Sequence, residues 1–115
     1  MFLKTFKPGE ITGNIVSEGA DRGDRVSIEA RKIAARYLGI GLANVLNLLN
    51  PAALILGGGV MENTDYFWKP MMESIRAEAW PDALRGCRVL RSRLGKKVGD
   101  LGAVAVVLEA CRQRA

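Results

Sequence analysis

The sequence contains no histidine, and its two cysteines lie far apart. Cys87 and Cys111 form no CxxC pair. Histidine-dependent catalysis, the usual tetrahedral zinc sites and a disulfide framework are therefore excluded together. We expect both cysteines to be buried thiols in a cytoplasmic protein.

Long apolar runs are also missing. No stretch approaches the roughly 20 apolar residues that span a bilayer, and the opening MFLKTFKPGE lacks the apolar core of a signal peptide. We therefore expect no membrane partner. The 115 residues are 49% hydrophobic and 25% charged, which is typical of one globular domain with a single core.

The net charge of +5 comes from one end of the chain. Residues 1–80 hold nine Lys/Arg and nine Asp/Glu, whereas residues 81–115 hold eight against three. The basic residues there are spread out and form no dense arm. A solvated basic edge is favoured over a nucleic-acid footprint, and we expect no nucleic-acid contact in this chain.

A helical period of apolar residues occupies about residues 26–49. Asp24 is a plausible N-cap for this helix. Pro51 predicts its end, because the residue before a proline is pushed out of the helical region. Gly39 and Gly41 each cost about 1 kcal/mol relative to alanine inside a helix, so we expect them to mark close approach of another backbone.

Two short segments read as strands. AALIL at 52–56 is a continuous apolar run, which suits a strand covered on both faces of a parallel sheet. CRVLRSRL at 87–94 is the second strand. Two strands make a poor sheet alone, so MFLKTF at 1–6 pairs with them as a third strand, or another chain does, or the segment is the tail of a larger protein.

Helical patterns follow each strand. Residues 61–80 read as a loop and a helix, with Asn63 or Thr64 as a possible cap and Pro81 as the end. The last helix is predicted at 101–114. The order helix, strand, helix, strand, helix predicts an α/β fold whose parallel strands are joined by a crossover.

Three consecutive glycines, Gly57, Gly58 and Gly59, follow the first strand. Ligands bind beyond the carboxyl ends of parallel strands, and residues without a Cβ let a flat or phosphorylated ligand come close to the backbone. A plain tight turn has about equal weight. The pattern is neither GxGxxG nor a Walker A motif.

A longer match gives the glycines a specific meaning. ARYLGIGLANVLNLLNPAALILGGGV, residues 35–60, closely resembles the C-terminal segment of ROK proteins, the family of bacterial sugar kinases, open reading frames and sugar-responsive repressors. LGKKVGDLGAVAVVLEA, residues 94–110, is similar to that family's closing loop and helix. The resemblance covers about residues 25–112, in the family's order and spacing.

This resemblance implies part of the C-terminal lobe of a ribonuclease-H-like, actin-like ATPase fold. In family kinases a glycine cluster after a strand of this lobe contacts ATP, and here the role falls on Gly57, Gly58 and Gly59 as cofactor-binding residues. The cofactors of the full-length family are ATP and Mg²⁺. The resemblance assures neither of them for this chain.

The departures from the family pattern concern the chemistry. Family kinases carry a DxGxT-like phosphate loop, a catalytic aspartate and a CxCGxxGC zinc motif, and none of these occurs here. Asp65 and Asp100 are the carboxylates nearest the expected pocket, but helix capping or first-turn charge explains each of them better. We assign no catalytic residue and no metal ligand.

Three functions remain open. The first is the C-terminal, nucleotide-side fragment of a ROK-type sugar kinase, inactive alone. The second is the effector-domain fragment of a ROK-type repressor, and the third is a non-catalytic dimerising module. We expect a poorly defined segment at 1–24 and a ROK-like α/β subdomain at 25–115, with a nucleotide as a possible ligand and either a homo-oligomer or a missing N-terminal part as the partner.

Overall fold

A computed structural model describes residues 1–62 and 65–114, and these form six α-helices and two β-strands. Short 3₁₀ turns lie at Phe2–Thr5, Pro8–Glu10 and Gly95–Lys97. In chain order the elements are α1 (Gly13–Asp21), α2 (Arg25–Leu49), β1 (Ala53–Leu56), α3 (Gly59–Glu62), α4 (Asp65–Glu78), α5 (Pro81–Gly86), β2 (Arg88–Arg91) and α6 (Val98–Arg114).

The long helix α2 begins and ends where the sequence predicts. The Asp24 carboxylate accepts hydrogen bonds from the Ser27 backbone N–H at 3.0 Å and the Ser27 hydroxyl at 2.8 Å. The bond from the hydroxyl is the main cause that holds the pKa of Asp24 below its usual 3.8. At the other end Asn50 adopts the left-handed region, with φ 43° and ψ 53°, directly before Pro51.

The two strands are parallel, as predicted, with Ala53 opposite Arg88 and Leu56 opposite Arg91. They form a two-stranded sheet among the described residues. The crossover that joins them contains α3, α4 and α5. The predicted α/β order with a parallel crossover is therefore confirmed, although most of the chain is helical.

Only one face of the sheet is covered. Leu54, Leu56 and Val89 pack against the helical core. Ile55 is 65% exposed and its register partner Leu90 is 42% exposed on the other side. The expectation that the first strand is buried on both faces was wrong, since no helix or second sheet of the described chain covers that side.

The core lies between α2 and α4. Leu46 of α2 and Met71 and Ile75 of α4 have no exposed surface. Cys87 is buried as predicted, whereas the prediction for Cys111 was wrong, because it lies exposed on α6.

The N-terminal residues do not form a strand. MFLKTF contains a 3₁₀ turn, and the backbone N–H of Phe2 donates to the Asp24 carboxylate at 2.9 Å. The Arg22 guanidinium lies 4.9 Å from the centroid of the Phe2 ring. The possible third strand at 1–6 is therefore wrong, because these contacts tie the segment to the start of α2.

The helix predicted to end at Pro81 does end before it, since α4 stops at Glu78. Pro70 lies inside α4, and Pro81 opens the additional helix α5 as its first residue. Proline suits the first position of a helix, because the backbone N–H of a residue there has no acceptor within the helix and proline lacks that N–H. The predicted caps Asn63 and Thr64 lie outside the described residues.

The last helix, α6, packs on little of the chain. Every residue from Gly99 to Arg114 is exposed. None of the helices in the described ranges combines the length and the apolar character that crossing a membrane requires.

Candidate functional site

The three glycines lie at the carboxyl end of β1, where the chain turns toward α3. Each has a different structural role. A Cβ on Gly57 would lie 3.2 Å from the Ser92 Cβ, so this glycine allows close packing beside the end of β2. Gly58 has φ +99°, a conformation that L side chains rarely adopt. A Cβ on Gly59 would meet no atom within 4 Å.

Gly59 borders a cleft of about 1040 Å³ between the sheet corner and the N-terminal helices. This volume matches the upper end of ordinary small-molecule pockets, roughly 300–1,000 Å³. Gly59, Val60 and Phe67 line one side of the cleft, and polar residues of α1 with Arg31 of α2 form a polar wall on the other. Its lining is Gly13, Asn14, Val16, Ser17, Glu18, Asp21, Arg22, Ala30, Arg31, Ala34, Gly59, Val60 and Phe67.

A buried arginine forms the polar wall of this cleft. Arg31 of α2 is 9% exposed, and its guanidinium donates to the Asp21 carboxylate at 2.9 Å. It also lies 3.5 Å from the Ser17 carbonyl oxygen, at the outer limit for a hydrogen bond. The wall is thus a fixed ion pair between α1 and α2, with the Asp21 side chain 54% exposed.

Sequence reasoning misses the α1 wall, because residues 1–24 read as poorly defined. A signal is present at Thr12, whose hydroxyl oxygen accepts from the Ile15 backbone N–H at 3.4 Å and caps α1. Threonine is a common N-cap. The apolar period after it is only nine residues long, so it is too short to predict a helix with certainty.

The aromatic residues of α4 divide between the core and the surface. Phe67 is buried and borders the cleft, whereas Tyr66 is 77% exposed. The Arg91 guanidinium lies over the Trp68 ring, 4.6 Å from the ring centroid. Arg91 is nevertheless exposed, so it lies at the edge of the sheet and stacks on α4 with one side only.

No group of three or more histidine, cysteine, aspartate or glutamate side chains in residues 1–62 and 65–114 is placed to hold a metal ion. The Asp100 backbone lies inside the first turn of α6, two residues after its start, and does not cap it. The cleft therefore offers an open backbone corner, an arginine–aspartate pair and an aromatic ring.

Comparison with known proteins places this arrangement in a family. The chain is 33% identical over 96 residues to a glucokinase of Halalkalibacterium halodurans. This match covers 84% of this chain and 29% of that protein. It is 34% identical over 73 residues to the xylose repressor of Bacillus spizizenii, covering 64% of this chain and 19% of the repressor. The chain thus spans less than a third of the length of these curated relatives.

A solved structure shows the same fold. The Streptomyces griseus ROK family glucokinase, in complex with glucose and AMPPNP, superposes with a TM-score of 0.74 at 32% identity, over 91% of this chain and 35% of that one. The mostly helical α/β arrangement with its parallel strand pair is therefore part of the fold of ROK sugar kinases. The ROK family model matches residues 3–110, and the chain belongs to the ROK family.

Proposed function

We propose that this chain is the nucleotide-side part of the C-terminal lobe of a ROK-type sugar kinase, within an actin-like ATPase fold. The parent reaction is transfer of the γ-phosphate of ATP to a hexose such as glucose. This chain is inactive alone, because its sequence holds no phosphate loop and no catalytic aspartate in the family's motif. Its own task, in the cytoplasm, is to hold the nucleotide in the cleft between α1 and the unit at residues 25–115.

One observation carries this proposal: the glycine corner after β1 opens onto the cleft. Gly59 has free space where a Cβ would be, and it lies beside a volume that can hold a nucleotide. The positive φ of Gly58 turns the chain there, and Gly57 keeps the strand ends close. Gly57, Gly58 and Gly59 therefore act together, although only the third is offered as a direct contact.

The residues present fit a nucleotide better than they fit a metal. Gly59, which has no side chain, and the Phe67 ring leave room for a flat ligand. The charged side chains of the lining balance, with Arg22 and Arg31 against Glu18 and Asp21. No metal-holding cluster lies in the described residues. Mg²⁺ would neutralise charge on the phosphates during transfer, and we assign it no ligand in this chain.

The effector part of a ROK-type repressor is the second candidate. The 34% identity to a xylose repressor supports it. The kinase proposal is favoured because the glucokinase is 33% identical over 84% of the chain, whereas the xylose repressor of Caldicellulosiruptor bescii, which matches over 86% of it, is 28% identical. Nucleotide binding separates the two, since the kinase proposal requires it at the glycine corner.

Titration calorimetry with AMPPNP and Mg²⁺ tests the kinase proposal. We expect saturable binding to the wild-type chain and a loss of about tenfold in affinity in Gly59→Val, because the new side chain enters the cleft. Gly59 has no neighbour that a Cβ would strike and no positive φ, so the fold should be unchanged by circular dichroism.

Gly9→Val is the matched control. Gly9 is also exposed with open space around its Cβ position, but it lies in the 3₁₀ turn outside the cleft. The affinity of the Gly9→Val variant for AMPPNP should equal that of the wild-type chain. Binding that is the same in Gly59→Val, or no saturable binding to the wild-type chain, would contradict the proposed nucleotide site.

A further inference from the structure

Helix α1 forms much of the cleft but buries little of itself. The residues that it contributes to the lining are Gly13, Asn14, Val16, Ser17, Glu18 and Asp21. Among the nine residues of Gly13–Asp21, all of which the structure describes, Gly19 alone is buried. Side-chain burial therefore does little to fix where α1 lies, and the width of the cleft depends on its other contacts with α2.

Close packing and an ion pair both join α1 to α2. A Cβ on Gly19 would strike the Ser27 hydroxyl of α2, so the two helices touch at this point. The Arg31 guanidinium reaches from α2 to the Asp21 carboxylate at 2.9 Å and lies 3.5 Å from the Ser17 carbonyl oxygen. The Arg31 side chain is 10% exposed, so little water competes for these contacts. They hold the part of α1 that lines the cleft.

A second ion pair of the lining has a different reach. The Arg22 guanidinium pairs with the Glu18 carboxylate four residues earlier, and these side chains are 62% and 51% exposed. This pair follows α1 and its C-cap along the helix axis, so it does not hold α1 against α2. Glu18 and Asp21 are thus carboxylates of one helix and one cleft lining, but only the Asp21 pair connects two helices.

We propose that the Arg31–Asp21 ion pair sets the width of the cleft by holding α1 in place, and that Arg31 is a positioning residue for the nucleotide and not a ligand of its phosphates. The Asp21 carboxylate already engages the Arg31 guanidinium. A phosphate would have to displace that carboxylate or share the guanidinium with it. The positioning role rests on the nucleotide site proposed above.

Titration calorimetry of Asp21→Ala separates positioning from direct phosphate binding, because the two roles predict opposite signs. If Arg31 positions α1, the affinity for AMPPNP with Mg²⁺ should fall by about fivefold, since α1 loses its hold on α2. If Arg31 binds phosphate, removal of the competing carboxylate should raise that affinity. We expect the fall. Arg31→Met should also weaken AMPPNP and uncharged adenosine by the same factor, whereas loss of a phosphate ligand would weaken AMPPNP alone.

Three further variants serve as controls. Asp21→Asn keeps an oxygen that accepts from Arg31, so it should retain most of the wild-type affinity. Glu18→Ala is the matched control and should bind AMPPNP as the wild-type chain does. The double variant Asp21→Ala with Arg31→Met should bind no more weakly than either single variant, because both changes remove the same contact. Circular dichroism should show equal helical content in all of them, so that a fall in affinity is not due to unfolding.

Amide hydrogen exchange tests the hold on α1 without any ligand. In Asp21→Ala the amides of residues 17–21 should exchange faster, whereas those of residues 35–46 in α2 should not change. Unchanged exchange at 17–21, or an AMPPNP affinity that Gly59→Val lowers and Asp21→Ala does not, would overturn the positioning role alone. If the wild-type chain binds no AMPPNP while exchange changes as expected, the nucleotide site is rejected and the hold of the ion pair on α1 is supported.

Discussion

At the scale of single residues, two glycines in one helix have opposite environments. A Cβ on Gly39 would lie 2.6 Å from the Ser74 Cβ and would also strike the Met71 carbonyl oxygen. A Cβ on Gly41 would meet no atom within 4 Å, and this residue is exposed. The absence of a side chain is therefore required at Gly39, where α4 lies against α2.

Alanine substitutions at these two positions should change stability in opposite directions. Gly41→Ala should raise the free energy of unfolding by about 1 kcal/mol, which is the helix-propensity gain. Gly39→Ala should lower it, because overpacking costs about 1–3 kcal/mol and exceeds that gain. Urea unfolding followed by circular dichroism measures both, and equal stabilisation by the two substitutions would show that α4 does not lie against Gly39.

This pair also shows how far sequence reasoning reaches. The sequence predicts the helix and its two glycines correctly, and it predicts close approach at both. The prediction is confirmed at Gly39 and was wrong at Gly41. Helical periodicity does not separate them, because which glycine meets α4 depends on the rotation of α2 about its axis. At the candidate site, likewise, the sequence locates the glycine corner but not the α1 wall opposite it.

At the scale of elements, burial overrides local propensity in α4. A proline inside a helix costs about 3 kcal/mol. Full burial of Met71 and Ile75, one and five residues after Pro70, contributes roughly 1.5–3 kcal/mol for each side chain. The gain equals or exceeds the cost, so α4 continues through Pro70.

One side chain connects the ends of three elements. The Asn47 amide on α2 donates to the Glu78 carbonyl oxygen at 3.2 Å, at the end of α4. Its oxygen accepts the Trp80 backbone N–H at 2.7 Å, directly before α5. Asn47 therefore satisfies one acceptor and one donor where the chain leaves one helix and enters the next.

Asn47→Ala should lower the free energy of unfolding by about 1–3 kcal/mol, because both backbone groups lose their partner. Asn44→Ala is the matched control, since Asn44 lies on the same helix and is exposed; it should change stability by less than about 0.5 kcal/mol. Urea midpoints of the two variants decide this. Equal midpoints would mean that water replaces the Asn47 contacts without cost.

At the scale of the whole molecule, the chain is more extended than its length requires. Its radius of gyration is 17.5 Å, with extents of 57 × 37 × 22 Å. A compact domain of this length has a radius of gyration of about 13 Å. The sequence already predicts an incomplete sheet from its two strands. It does not predict the exposure of α6, because an apolar helix reads the same whether its cover lies on this chain or elsewhere.

The exposure of α6 leads to the last prediction. A chain that ends at Val98 should unfold at nearly the same urea concentration as the full chain, because the residues from Gly99 to Arg114 bury no side chain. Removal of residues 1–23 is the contrasting deletion. It eliminates the Phe2 contacts and the α1 wall, and should lower the midpoint clearly. A urea midpoint that falls as far without α6 as without residues 1–23 would show that α6 folds back onto this chain. The apolar side chains of α6 would then be buried against other residues of the same chain.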